Sequence, residues 1–245
     1  QQAITISCNT YFCKTFSDLF KKYTSNQESY NMWRNHISSF GIGEWMNNDF
    51  VSGTKGMLPK HEYYNKYYGR TSWNSSTIIS MAIGQGELLL TPIQMANISA
   101  IIANRGFYFT PHIVKSIDGN EKIDTTFLEK KYTTINPKHF DVIIEGMEKV
   151  IKQSDGTANN IKSDSISICG KTGTAQNPHG EDHSIFIAFA PKENPEIAIA
   201  VYIENGGWGS TWAAPIAGLM IEKYLKADIN KDVENFIVDG VTNSR

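Results

Sequence analysis

The 245-residue chain reads as an α+β protein: a mainly helical region, residues 1–164, leads into antiparallel strands and a final helix, residues 165–225, followed by a tail, residues 226–245. Two observations predict this. Up to position 164 apolar residues recur three and four apart, the spacing of a helix face. Beyond it they alternate with a period of two, in runs rich in β-branched residues. The links between those runs, 176–183 and 191–195, are polar and too short for a helical crossover, so the strands form an antiparallel meander.

The elements follow in order. After Ser7-Cys8-Asn9, the residues Tyr11, Phe12, Phe16, Leu19, Phe20 and Tyr23 make a helix face, with Asn9 or Thr10 as N-cap. Trp33, Ile37 and Phe40 predict a second helix over 31–40, stopped by Gly41 and Gly43. Residues 44–75 are a weakly periodic connection in which Tyr63, Tyr64, Tyr67 and Tyr68 suit the packed face of a short helix. An apolar segment, 77–83, ends in Gly84-Gln85-Gly86. Thr91-Pro92 then offers a cap and a first-turn proline for a helix reaching Asn104-Arg105, with Gly106 as its left-handed terminator. A strand pair is expected around 107–117, turning at Asp118-Gly119-Asn120.

Asn136-Pro137 repeats the cap-plus-proline signal. It opens an amphipathic helix with Phe140, Ile143, Ile144, Met147, Val150 and Ile151 inward, stopped by Asp155-Gly156. The strands are expected at 165–175, 184–190 and 196–204. In the third, Ile197, Ile199, Val201 and Ile203 share one face, and Ala198 and Ala200 leave room on the other for the helix near 215–225. The tail is expected to be loosely attached.

Composition excludes several function classes. A net charge of -2 with 20% charged residues offers no basic stripe for nucleic acid. No apolar run approaches the ~18 residues of a membrane span, and Gln1-Gln2-Ala3 does not open a signal peptide; an anchor, if the parent has one, lies outside this chain. Three cysteines without a CxxC pair, Cys8, Cys13 and Cys169, argue against a disulfide framework or a self-contained zinc site, and Cys8 reads as a small buried hydrophobe.

The chemistry centres on Lys171-Thr172-Gly173-Thr174-Ala175 at the end of the first strand. A cation there can hold an anionic terminus or join a proton transfer, hydroxyls can bond a carboxylate, and glycine admits a ligand or a second backbone. Lys-Thr-Gly is one part of a three-part acyltransferase signature whose others are Ser-x-x-Lys and Ser-x-Asn, in that order along the chain. Ser-x-Asn occurs as Ser7-Cys8-Asn9, Ser29-Tyr30-Asn31 and Ser72-Trp73-Asn74; Ser7 is best placed because it precedes a strong helix. Ser-x-x-Lys occurs as Ser52-Gly53-Thr54-Lys55, after Ser7 and among glycines, which fits a loop.

Five blocks occur in the order found in class B penicillin-binding proteins: Ser7-Cys8-Asn9-Thr10-Tyr11-Phe12; Ile83-Gly84-Gln85-Gly86 with Thr91-Pro92-Ile93-Gln94-Met95-Ala96; Lys171 to Gln176; Phe189-Ala190-Pro191; and Val201 to Gly207. From its start to about Leu225 the chain resembles that family, and the first and last blocks favour its elongation type, penicillin-binding protein 2, over the septal type. The resemblance implies the penicillin-binding protein/serine β-lactamase-like transpeptidase fold, incomplete here. The family's sheet has five strands, two of them from the N-terminal portion, so 197–203 is expected to expose an unpaired edge or find a partner chain.

It also implies acyl transfer from D-Ala-D-Ala peptidoglycan stem peptides through a serine ester, with β-lactams as mimics of the donor. Ser7, Asn9 and Lys171 are then catalytic: Ser7 and Lys171 carry protons toward the leaving amine, and Asn9 orients the substrate amide. Thr172, Gly173 and Thr174 bind substrate, the two hydroxyls at the terminal carboxylate and the Thr174 N–H in the oxyanion hole. No metal or organic cofactor is implied. The parent is expected at the inner membrane with this domain facing the periplasm, meeting membrane and cell-wall elongation proteins through its N-terminal part. Because the family's nucleophile precedes Ser-x-Asn, this chain is expected to be inactive alone. A β-lactamase or D,D-carboxypeptidase of the same fold, or a non-catalytic β-lactam sensor or scaffold, are the alternatives; the long interval from Ser7 to Lys171 disfavours compact β-lactamases.

Overall fold

Both periodicities of the sequence are realised in the computed structural model, which describes residues 1–50, 52–116, 124–225 and 228–243. In chain order the elements are α1 (Gln2–Thr5), α2 (Asn9–Leu19), α3 (Asn26–Ser38), α4 (His61–Tyr68), α5 (Pro92–Ala103), β1 (Phe107–Tyr108), β2 (Lys131–Tyr132), α6 (Phe140–Lys152), β3 (Cys169–Ala175), β4 (His183–Ala190), β5 (Ile197–Ile203), α7 (Ala213–Tyr224) and α8 (Lys231–Asn243). They fall into two compact units. One comprises Gln1–Ser7, Ile102–Arg105 and Lys138–Arg245, the other Cys8–Ile101 and Gly106–Pro137.

In the first unit the strands form the expected antiparallel meander, β3-β4-β5, with Lys171 opposite Ile187, Thr174 opposite Ser184 and Ile185 opposite Tyr202. Among the described residues β5 pairs only with β4, so its outer edge has no strand partner. Phe186, Ala188 and Ala190 of β4 and Ile199 of β5 join Ala213, Ala214, Ala217 and Ile221 of α7 in one buried cluster, and Ile197 and Val201 pack against it. Helix α7 therefore lies on the isoleucine face of β5 and not, as expected, over Ala198 and Ala200. The room is on the helix: its alanines let the β-branched strand face approach, which removes more apolar surface from water than an alanine face offers.

Helix α6 buries Phe140, Ile144, Met147, Val150 and Ile151. Pro137–His139 form a single 3₁₀ turn ahead of it, so the cap-plus-proline signal opens that turn and the α-helix proper starts at Phe140. A Cβ at Gly146 would lie 3.0 Å from Ile4 Cδ1, which is how closely α1 meets α6. The region expected to be a loose tail contains α8, whose Phe236 ring stacks on Trp212 at 5.5 Å.

The second unit is organised by aromatic rings. Phe16, Phe20, Tyr30, Tyr64 and Trp73 are buried together, and the Tyr30 hydroxyl donates to Pro59 O at 2.8 Å. Of the four tyrosines expected on a packed face, Tyr64 is fully buried while Tyr67 and Tyr68 are exposed. Helix α2 is capped by Cys8 without a side-chain bond, so Asn9 is its first helical residue and neither Asn9 nor Thr10 is the cap. Helix α3 starts at Asn26, five residues before the expected start. Ser25 Oγ accepts from Glu28 N at 3.1 Å and Glu28 Oε2 accepts from Thr24 N at 3.2 Å, a capping arrangement spelled by Ser25-x-x-Glu28. Thr91 caps α5 as expected, its Oγ1 accepting from Gln94 N at 3.3 Å. At the other end of α5 the left-handed residue is Arg105, φ 56°, and not Gly106 alone, φ 112°.

Strand β1 is two residues long and pairs with β2, Phe107 opposite Tyr132, in place of the local hairpin expected from 107–117. The turn expected at Asp118-Gly119-Asn120 lies outside the described residues. No helix among the described residues is long and apolar enough to cross a membrane.

Candidate active site

The end of β3 and the end of α1 meet through one side chain. Ser7 follows α1 in the left-handed region, φ 55°, held by its N–H donating to Ile4 O at 3.2 Å. A non-glycine residue there carries about 1 kcal/mol of strain, and the turn aims Ser7 at β3. Lys171 Nζ donates to Ser7 Oγ at 2.8 Å and to Thr172 O at 2.8 Å. Surrounding protein strips water from this ammonium and pulls its pKa down from 10.5 to about 8. Lys171 can thus donate to Ser7 at neutral pH and still release its proton at moderate cost, as a proton relay requires.

The remaining predicted residues divide. Thr172 extends the cluster, its Oγ1 lying 2.8 Å from Thr157 Oγ1. Thr174 stands opposite Ser184, whose hydroxyl donates to Trp208 O at 2.9 Å and accepts from Ala213 N at 3.2 Å. A Cβ at Gly173 would lie 3.2 Å from Ile185 Cβ, a tight approach. A Cβ at Gly209 would fall 2.5 Å from Gly173 O and 2.3 Å from Ile185 O, so the loop before α7 lies directly on this strand pair. Asn9, with an exposed side chain, is the first residue of α2 in the second unit. Ser52, Gly53, Thr54 and Lys55 are exposed and non-helical.

Sequence reasoning missed Thr157 and Gly209, and used Gly156 only as a helix stop. His183 Nδ1 accepts from Asn205 N at 3.1 Å, which ties this histidine to the loop after β5. The three thiols are free: Cys169 is buried as a small apolar group, with burial pushing its pKa up to about 12, while Cys8 is only half-buried.

The depressed lysine has a measurable consequence. Its folded pKa lies below the unfolded value, so the unfolded chain binds more protons between about pH 8 and 10.5, and this residue's cost, present at neutral pH, is relieved as pH rises through that window. Lys171→Met is therefore expected to stabilise the chain at pH 7 by about 1–2 kcal/mol, the lifted desolvation less the lost hydrogen bonds. Urea unfolding across pH 7–10.5 checks it, the advantage shrinking toward the alkaline end.

The penicillin binding protein transpeptidase domain model matches residues 1–222. Peptidoglycan D,D-transpeptidase MrdA of Haemophilus influenzae is 32% identical over 246 residues, an alignment covering 91% of this chain and 36% of that protein. The crystal structure of Pseudomonas aeruginosa PBP2 in complex with WCK 5153 superposes with a TM-score of 0.77 at 30% identity, over 94% of this chain and 48% of that one. The Helicobacter pylori complex between PBP2 and MreC gives a TM-score of 0.72 at 26% identity, over 91% of this chain and 39% of that one. The chain spans about a third of the length of the curated relatives it matches. Motif order, strand topology and a family model that runs through nearly all of α7 agree, and the chain belongs to the penicillin-binding protein transpeptidase domain family.

Proposed function

We propose that this chain is the Ser-x-Asn and Lys-Thr-Gly part of a serine-type peptidoglycan D,D-transpeptidase that β-lactams acylate. The observation that carries the reading is the 2.8 Å contact of Lys171 Nζ with Ser7 Oγ at the Lys-Thr-Gly strand end. In this reading a serine from a Ser-x-x-Lys element, which does not precede Ser7 in this chain, attacks the carbonyl between the two terminal D-alanines. The C–N bond breaks as the leaving amine takes a proton delivered through Ser7 and Lys171. The amine of a second stem peptide then attacks the ester, forming the cross-link and releasing the serine. Asn9 orients the substrate amide, Thr172 and Thr174 hold its terminal carboxylate, and the Thr174 N–H supplies half of the oxyanion hole.

A domain at the outer face of the inner membrane, anchored by a segment outside this chain and working with elongation proteins, fits the relatives' cell-wall role; the H. pylori PBP2–MreC complex supports the choice of partner class. Fluorescent penicillin followed by intact-mass measurement tests the reading. The complete protein is expected to take one adduct on the Ser-x-x-Lys serine, and the 245-residue chain none. A stoichiometric adduct on Ser52, or no adduct on the complete protein, overturns it.

A further inference from the structure

Thr157 touches both halves of the cluster, and the fold is built to put it there. Helix α6 ends in a turn that folds back on its own carbonyls: Ala158 N donates to Val150 O at 3.0 Å. A Cβ at Gly156 would lie 2.3 Å from Val150 O and 2.5 Å from Lys149 O, so only glycine lets the chain double back this tightly. Thr157 then emerges between two segments. Its backbone N–H donates to Thr5 O at 3.3 Å, two residues before Ser7. Its hydroxyl lies 2.8 Å from the Thr172 hydroxyl, one residue after Lys171.

We propose that Thr157 is a positioning residue for anion recognition: its hydroxyl donates to Thr172 Oγ1 and so commits the Thr172 proton to an anionic substrate terminus. The inference rests on the reading of Thr172 as a carboxylate-binding hydroxyl. A hydroxyl has one proton and two lone pairs. If Thr172 spent its proton on Thr157, it would face a carboxylate with lone pairs and repel it. With Thr157 donating, Thr172 is held in one rotamer, its proton is free for the anion, and the chain of two hydroxyls polarises that proton further. The same residue's N–H to Thr5 couples this geometry to the α1 end that carries Ser7.

The test uses the complete protein and two β-lactam probes, one with a free carboxylate and its methyl ester, each read as a second-order acylation rate. Thr157→Val keeps the shape and removes the hydroxyl; Thr157→Ser restores it. Thr157→Val is expected to slow acylation by the acid about fivefold, the worth of the one neutral hydrogen bond that orients Thr172, with less than a twofold change for the ester, and Thr157→Ser to return the acid rate. A purely structural role would slow both probes together, and that result overturns the proposal. Thr172→Val is the control. If it too leaves the acid-to-ester ratio unchanged, the reading of Thr172 fails; if it collapses the ratio while Thr157→Val does not, the Thr157 proposal alone fails. Thermal melting of each variant shows whether a uniform loss comes from unfolding.

Discussion

Lys171→Ala in the complete protein is expected to lower the rate of acylation by a β-lactam about 10³-fold, a loss of about 4 kcal/mol of transition-state stabilisation. The magnitude follows from what the ammonium does. It donates to Ser7 Oγ at 2.8 Å, which fixes the direction of the Ser7 hydroxyl, and it supplies a charged donor where water is largely excluded. Removal takes away the proton relay and the orientation together, so Ser7→Ala added to Lys171→Ala should cost little more, as for groups acting as a unit. The pH profile separates this from a packing defect. The donating form is the protonated one, present below the pKa of about 8 and lost above it. Wild-type acylation should therefore show a descending limb near pH 8 that the variant lacks. A variant with the wild-type limb would assign that ionisation to another group.

Local signals carried much of this molecule. The stripe of α6 was legible because Phe140, Ile144, Met147, Val150 and Ile151 recur at helical spacing and are all buried, and the three strands because alternation, short polar links and Lys-Thr-Gly agree. What escaped depends on contacts between residues far apart in sequence. The pairing of β1 with β2 spans a long interval and rests on two residues, too few for a period. The bond between Thr157 and Thr172 joins a post-helix turn to a strand end, and nothing in Asp155-Gly156-Thr157 alone points across that gap. Gly209 sits in a run with other glycines, where only the approach of Gly173 and Ile185 shows why it cannot carry a side chain. Ser25-x-x-Glu28 is a cap signal in plain view, whereas Asn9 has a capping residue's type yet is the first helical residue of α2. The small residues of β5 do not mark the side that α7 covers, because the alanines of α7 itself make the close approach.

The residue before Lys171 sets the largest expected effect on stability. A Cβ built at Gly170 would lie 2.3 Å from Phe186 Cζ, and Phe186 is fully buried against β3. The ring has little room to swing away, because Ala188, Ala190 and the α7 alanines share its buried cluster and protein interiors are close-packed. Gly170→Ala is therefore expected to destabilise the fold by about 2–3 kcal/mol, the cost of forcing an extra methyl into a filled core, although alanine is otherwise the easier strand residue. Phe186→Leu alone should cost about 1–1.5 kcal/mol as a volume-reducing swap. Together they should not add: leucine vacates the space of the ring tip that the new methyl needs, so the double variant should sit near Phe186→Leu alone, a coupling of about 2 kcal/mol. Urea unfolding of the four proteins gives the cycle, and simple additivity would mean that the ring is free to move. The same cycle reads function. Gly170→Ala displaces the backbone next to Lys171, and a 2.8 Å hydrogen bond to Ser7 does not survive a shift of an ångström. Penicillin acylation of the complete protein should fall with Gly170→Ala and recover in the double variant, tying the acyl-transfer geometry to the packing of one phenylalanine on one glycine.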